Sequence, residues 1–167
     1  GGHRVPFIVR WPAGIISPGR VYSSPVCQTD LLATLAEIIG VSLPNNAGED
    51  SQSFLPALTK AATVNRVPII HHSSRGEFAI RDKKSKLVMG TAKKRTQELY
   101  DLSNDTCETH NLFETHSERA KTLQQKLTHI IRSGRSAQGN PVPNDTAYWN
   151  DLFWMTEAEY QQPDQAI

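Results

Sequence analysis

Apolar residues recur along this chain in distinct rhythms, and each predicts a different element. From Val5 to Arg10 the stretch "VPFIVR" is almost continuously apolar and is followed by Pro12, Gly14, Pro18 and Gly19, which predicts a short buried strand running into a loop. In "DLLATLAEIIG", Leu31, Leu32, Leu35, Ile38 and Ile39 fall at helical spacing, with Thr29 or Asp30 to cap the start and Gly40 to stop the end. After the turn-rich "LPNNAGEDSQS" and a short helical turn in "FLPALTK", the rhythm shortens. The segments "RVPIIHH", "GEFAIRD", "SKLVMG" and "TQELYDL" read as four strands with no room between them for crossover helices, so they predict an antiparallel meander. "SERAKTLQQKLTHIIRSG" then sets Ala120, Leu123, Leu127, Ile130 and Ile131 on one helical face, suited to cover that sheet, and Gly134 ends it. The fold class is α/β, α+β within these residues. The first strand and helix cannot cover each other's apolar faces alone, so another layer must pack there.

The remainder breaks with both patterns. Pro141 and Pro143 interrupt the chain, and from Asn144 onward there are five of the twelve aromatics, five acids and no Lys or Arg. A disordered tail is rarely so aromatic, so this stretch reads as an arm whose Tyr148, Trp149, Phe153 and Trp154 dock on a surface.

Composition narrows the function classes only slightly. The 167 residues, 38% hydrophobic and 21% charged, suit one ordinary domain, and a net charge of +1 exerts no overall pull on nucleic acid, membranes or acidic partners. No apolar run reaches the roughly 18 residues of a membrane span. Cys27 and Cys107 are too few for a disulfide scaffold and wrongly spaced for a zinc site; whether they pair is open at this level. Neither lies in an identifiably activating setting, and neither a G-x-S-x-G elbow nor a P-loop occurs.

The most suggestive polar feature is His71-His72 in "IIHHSSRGEF", where an apolar strand runs out into a loop with Ser73 and Arg75. On a regular strand the two imidazoles point to opposite faces, so at most one serves a given pocket. Between Arg81 and Arg95 there are seven Lys or Arg and one Asp, a run that either attracts a polyanion or simply keeps a strand edge wet.

Taken in order, "GGHRVPFIVRWPAGIISPG", "TDLLATLAEIIGVSLP", "GEDSQSFLPAL", "FAIRDKKSKLV" and "ELYDLSND...ETHNL" resemble the C-terminal third of sulfatases of the arylsulfatase type, within the alkaline phosphatase superfamily. The resemblance covers roughly residues 1 to 135. It implies that residues 1–60 are the C-terminal end of a catalytic domain built on a large mixed α/β sheet, that 61–140 form an antiparallel-sheet and helix subdomain, and that 141–167 are an added arm. It also implies a fragment, with Gly1 following a glutamate and an active-site lysine upstream, and self-association through the face so exposed.

The activity implied is hydrolysis of a sulfate ester of a carbohydrate or aryl alcohol, using a formylglycine made from Cys or Ser in C/S-x-P-x-R and a calcium ion. Both would belong to the full-length enzyme, with no metal, catalytic residue or cofactor expected within these residues. The near miss Ser17-Pro18-Gly19-Arg20 lacks the residue between Ser and Pro and is a decoy. Arg4 is implied as a structural residue near the active site, and His71, His72, Ser73 and Arg75 are the candidates for substrate contact. Neither nucleic acid nor membrane is expected as a partner, and a periplasmic or extracellular location is. Where relatives often read R-x-G-K-W-K-L, this chain has Lys83 and Ser85 for the glycine and tryptophan, which leaves the turn shape there in question. The alternative function is a non-catalytic carbohydrate- or polyanion-binding module using the basic hairpin and the aromatic arm.

Overall fold

The computed structural model describes residues 5–161; Arg4 and the two leading glycines lie outside the described residues. Four strands, β1 (Ile69–His72), β2 (Phe78–Asp82), β3 (Ser85–Met89) and β4 (Gln97–Asp101), form an antiparallel sheet in the order β1-β2-β3-β4. This is the expected meander. Ile70 lies opposite Ile80, Ile80 opposite Leu87 and Leu87 opposite Leu99, so one row of apolar side chains crosses the sheet on a single face.

Helix α3 (Ser117–Ser133) covers that face. Ile80, Leu87, Met89, Leu99, Ala120, Leu123 and Leu127 interlock with between 0% and 2% exposure, a core in which truncating one leucine to alanine typically costs about 2–5 kcal/mol. Polar contacts fix the register of helix on sheet: Lys126 Nζ donates to Asp82 Oδ2 (2.6 Å), Arg119 Nε to Ser85 Oγ (3.2 Å) and Gln97 Nε2 to Gln124 Oε1 (3.1 Å). Gly134 closes the helix in the left-handed conformation, φ +66°, and its Cα approaches the Val142 carbonyl too closely to admit a side chain.

The first sixty residues are built differently. Helix α1 (Asp30–Ile39) forms where its spacing requires and ends at Gly40, φ +71°. Its buried residues, however, are Asp30, Thr34 and Ala36, while Leu35 and Ile39 are 56% and 71% exposed. Thr29 and Asp30 do not cap it by side-chain bonds. Instead Asp30 turns inward and accepts from the Cys27 and Gln52 amides, while Thr34 Oγ1 accepts from Phe54 N–H at the start of the short helix α2 (Leu55–Thr59). The helix is thus fastened by its polar side.

Residues 5–10 form no strand. Among the described residues no segment pairs with them, and a strand needs a partner for its amides and carbonyls. Ile8 is 90% exposed, and Phe7 meets Phe54 edge-on at 5.9 Å on the wall of an apolar groove of about 870 Å³ shared with Trp11, Ile15, Tyr22 and Leu58. Arg135 joins this half to the end of α3: its guanidinium donates to the backbone carbonyls of Asn45, Ala137, Gln138 and Asn140.

The arm docks on the sheet–helix unit. Leu152 and Met155 are buried, Trp154 Nε1 donates to Thr128 Oγ1 of α3 (3.1 Å), and the Tyr148 hydroxyl donates to the Met155 carbonyl (2.8 Å). A short helix α4 (Glu157–Gln161) ends the described chain. Cys27 and Cys107 are both free thiols.

Candidate functional site

The end of the sheet where β1 passes into β2 gathers most of the polar chemistry that the sequence singles out. Residues 73–77 form a tight turn on Ser73. Its hydroxyl accepts from the Arg75 and Glu77 amides (3.2 and 3.1 Å) and donates to Glu77 Oε2 (3.2 Å), while Gly76 takes φ +89°. The Ser73 hydroxyl is therefore spent on the turn. The Arg75 side chain is left at the exposed tip.

The register sets the two histidines apart. His71 lies opposite Ala79 and shares its face with Ile69, away from α3; His72 lies opposite Phe78 and shares the α3 face. The alternation expected of a regular strand holds. His72 stacks flat on Phe78 with ring centres 4.2 Å apart, and its ring meets the Trp149 indole edge-on at 4.6 Å. The structure thus brings His72, Ser73 and Arg75 to one corner and turns His71 to the opposite face.

Asp151 completes this corner, and nothing in its local sequence marks it. Its Oδ1 accepts from the Ala92 amide (2.8 Å) and its Oδ2 from Trp149 Nε1 (3.1 Å). The carboxylate also sits over Gly76, where an added Cβ would lie 2.3 Å from Oδ2. The Ala92 amide chiefly, then the indole N–H, and the nearby charges of Lys93 and His72 hold the Asp151 carboxyl below the usual carboxylate range. One side chain thereby ties the arm to two sheet loops. Its signal is a close approach to a glycine 75 positions away, which no local pattern reveals.

The basic run between Arg81 and Arg95 divides among three fates. Lys86 is buried and ion-paired with Glu108 (2.6 Å). Lys83 and Lys84 are exposed at the β2–β3 turn, the far end of the sheet. Lys93, Lys94 and Arg95 are exposed in the β3–β4 loop, which the antiparallel topology places at the same end as the 73–77 turn. Arg95 lies over the Phe153 ring at 5.7 Å.

Chemically, the corner offers an imidazole, an indole and exposed cations, a set that binds anions and flat apolar faces. No cysteine lies in it. The Ser17–Arg20 loop lies instead on the rim of the apolar groove. Among the described residues no group of three or more His, Cys, Asp or Glu side chains is placed to hold a metal ion.

Known proteins bear on this geometry. Residues 2–136 match the family model described as N-sulphoglucosamine sulphohydrolase, C-terminal. The chain is 30% identical over 142 residues to an N-acetylgalactosamine-6-O-sulfatase of Bacteroides thetaiotaomicron, covering 77% of this chain and 27% of that protein. It is 30% identical over 175 residues to an ulvan-active sulfatase of Formosa agariphila, covering 83% and 34%. The chain therefore spans about a quarter to a third of the length of these relatives. A solved structure in complex with its substrate D-glucosamine-2-N,6-O-disulfate superposes with a TM-score of 0.63 at 23% identity, over 75% of this chain and 27% of that one. Another, in complex with a neocarrahexaose, gives a TM-score of 0.57 at 23% identity, over 70% and 26%. At such identities these two structures speak to the fold alone, but the family match extends over most of the sequence: the chain belongs to the sulfatase family, through its N-sulphoglucosamine sulphohydrolase C-terminal domain.

Proposed function

We propose that this chain is the substrate-contacting C-terminal part of a sulfatase that hydrolyses sulfate esters of carbohydrates. The observation that carries the reading is the family match over residues 2–136. The sulfated sugar named for a relative, an N-acetylgalactosamine-6-O-sulfatase, supports the substrate class. In this reading the nucleophile, a formylglycine, and the calcium ion come from the part of the enzyme that precedes these residues in its relatives. The protein works outside the cytoplasm, in the periplasm or beyond the cell.

The unpartnered apolar residues of α1 and of segment 5–10 support the same reading. Leu32, Leu35, Ile39, Val5 and Ile8 are each 48% or more exposed, a surface suited to packing against another layer rather than to water. His72 is the residue of the pair that contacts the sugar of the substrate, with Arg75 beside it; His71, on the other face, is not.

The test uses the full-length gene product and measures sulfate release from a panel of sulfated sugars and an aryl sulfate. His72→Ala should raise KM about tenfold with kcat little changed, as loss of uniform binding does, while His71→Ala changes KM less than about twofold. No sulfate release from any member of the panel overturns the activity, and equal effects of the two replacements overturn the assignment to His72.

A further inference from the structure

Beyond residue 41, Trp149 is the one large hydrophobic side chain among the described residues that is left exposed, at 40%. The other aromatics of the arm behave as anchors. Phe153 and Trp154 pack against the core, and the Tyr148 hydroxyl is bonded back to the arm's own carbonyls. An exposed indole beside three buried or tethered neighbours needs its own explanation.

Its setting is rigid. The Nε1 proton is held by Asp151 (3.1 Å), Asp151 is held by the Ala92 amide (2.8 Å) and seated on Gly76, and the indole makes a T-shaped contact with His72, itself stacked on Phe78. Such a ring presents its remaining surface at little further cost in conformational entropy. Two exposed cations belong to the loops that meet at this carboxylate: Lys93, whose charge acts on Asp151, follows Ala92, and Arg75 precedes Gly76 in the chain. A flat apolar face with exposed positive charge on the neighbouring loops matches the chemistry of a sugar ring that carries sulfate, with C–H faces for the indole and anionic oxygens for the cations.

We propose that Trp149 is a sugar-binding platform which, with Lys93 and Arg75, holds a unit of a sulfated polysaccharide next to the unit contacted by His72. Trp149 lies past residue 136, outside the matched family domain, while Lys93 and Arg75 lie within it. The choice of a sulfated sugar as ligand rests on the function proposed above. The platform makes the enzyme prefer a chain of sugars to a single one.

The experiment measures binding of the full chain to two polyanions by affinity electrophoresis: chondroitin sulfate, which carries sugars, and polyvinyl sulfate, which carries only charge. Trp149→Ala should weaken binding to chondroitin sulfate about tenfold and leave polyvinyl sulfate unchanged, because one aromatic contact is lost and no charge is. Trp149→Phe should restore most of the loss, and Lys93→Ala should weaken both. The tryptophan fluorescence change on adding chondroitin sulfate should disappear in Trp149→Phe, which retains the fold and both other tryptophans. Failure of the wild-type chain to bind chondroitin sulfate, or a Trp149→Ala effect that is absent or equal for the two polymers, overturns the proposal. Sulfate release by the full-length protein is scored separately: release without the Trp149 effect sinks the platform alone, and the Trp149 effect without release sinks the proposed activity alone.

Discussion

Replacing Asp30 should cost more stability than any other single polar substitution in the first half of the chain. The carboxylate is fully buried, accepts three hydrogen bonds, from Cys27 N–H at 2.8 Å, Gln52 N–H at 3.0 Å and Arg66 Nε at 2.9 Å, and is ion-paired with Arg66 Nη2 at 2.8 Å. The Arg66 side chain is only 6% exposed. Asp30→Asn keeps the shape but removes the charge, turns a donor toward donors and strands the guanidinium away from water. Breaking a buried pair in this way costs about 3–5 kcal/mol. Asp30→Ala adds two amides without acceptors and should cost about 1–2 kcal/mol more, less than the sum of the separate terms because the groups relax together.

For a chain of this size about 4 kcal/mol corresponds to a fall in Tm of roughly 10 °C. Urea unfolding followed by circular dichroism gives the free energy directly, and a double-mutant cycle with Arg66→Met isolates the pair. The double variant should be no less stable than Asp30→Asn alone, since no charge is then left unpaired. A loss below about 1 kcal/mol for Asp30→Asn, or strictly additive single effects, would refute the view that this pair fastens α1 to the 50–67 segment.

Two further outcomes follow from the backbone and from one buried phenol. Lys83, the first residue of the two-residue β2–β3 turn, is held at φ +56°, a conformation that costs a side-chain-bearing residue about 1 kcal/mol; Lys83→Gly should therefore raise Tm by about 2–4 °C, and a fall in Tm would contradict it. Burial, the hydrogen bond to Glu98 and the charges of Glu98, Glu108 and Asp105 push the Tyr100 hydroxyl up to about 12 from 10.0. The folded chain thus keeps this proton between pH 10 and 12 while the unfolded chain gives it up. Stability should fall across that window by about 1–2 kcal/mol more in the wild type than in Tyr100→Phe, and parallel pH curves would count against it.

Much of the fold is legible in the sequence because its signals are local. The spacing of Leu123, Leu127 and Ile131 specifies α3, Gly40 and Gly134 mark helix ends, and the short gaps between apolar runs force a meander. What stays hidden depends on distant partners. Asp30 reads as a cap, yet its partner Arg66 is 36 residues away. Lys86 reads as one of a wet run, yet Glu108 draws it inside. "VPFIVR" reads as a strand, and its own residues satisfy that reading, but a strand is a relation between two segments and the described chain supplies only one. At the candidate site, His72, Ser73 and Arg75 are visible as a polar strand exit, and the alternation of β1 separates His71 from His72 without a structure. Asp151 and the indole it orients are not visible, because they join elements through a glycine and an amide rather than through a spaced pattern.

The two halves of the chain solve the problem of apolar surface in opposite ways, and the difference bears on where function resides. Around β1–β4 and α3, every long apolar row finds cover, and the arm adds Leu152, Met155 and Trp154 to close the remaining flank. In α1 the polar side is locked inward by Asp30, Thr34 and the Ser51 hydroxyl, which accepts from the Ala33 amide at 2.8 Å, so the leucines and isoleucines are directed outward by specific bonds. A helix left uncovered by weak packing would be free to roll its apolar stripe inward; this one is prevented from doing so. Its outward stripe is thus a built surface, in keeping with the proposed reading in which residues 1–60 complete a larger catalytic layer while the self-contained sheet carries the substrate-facing corner.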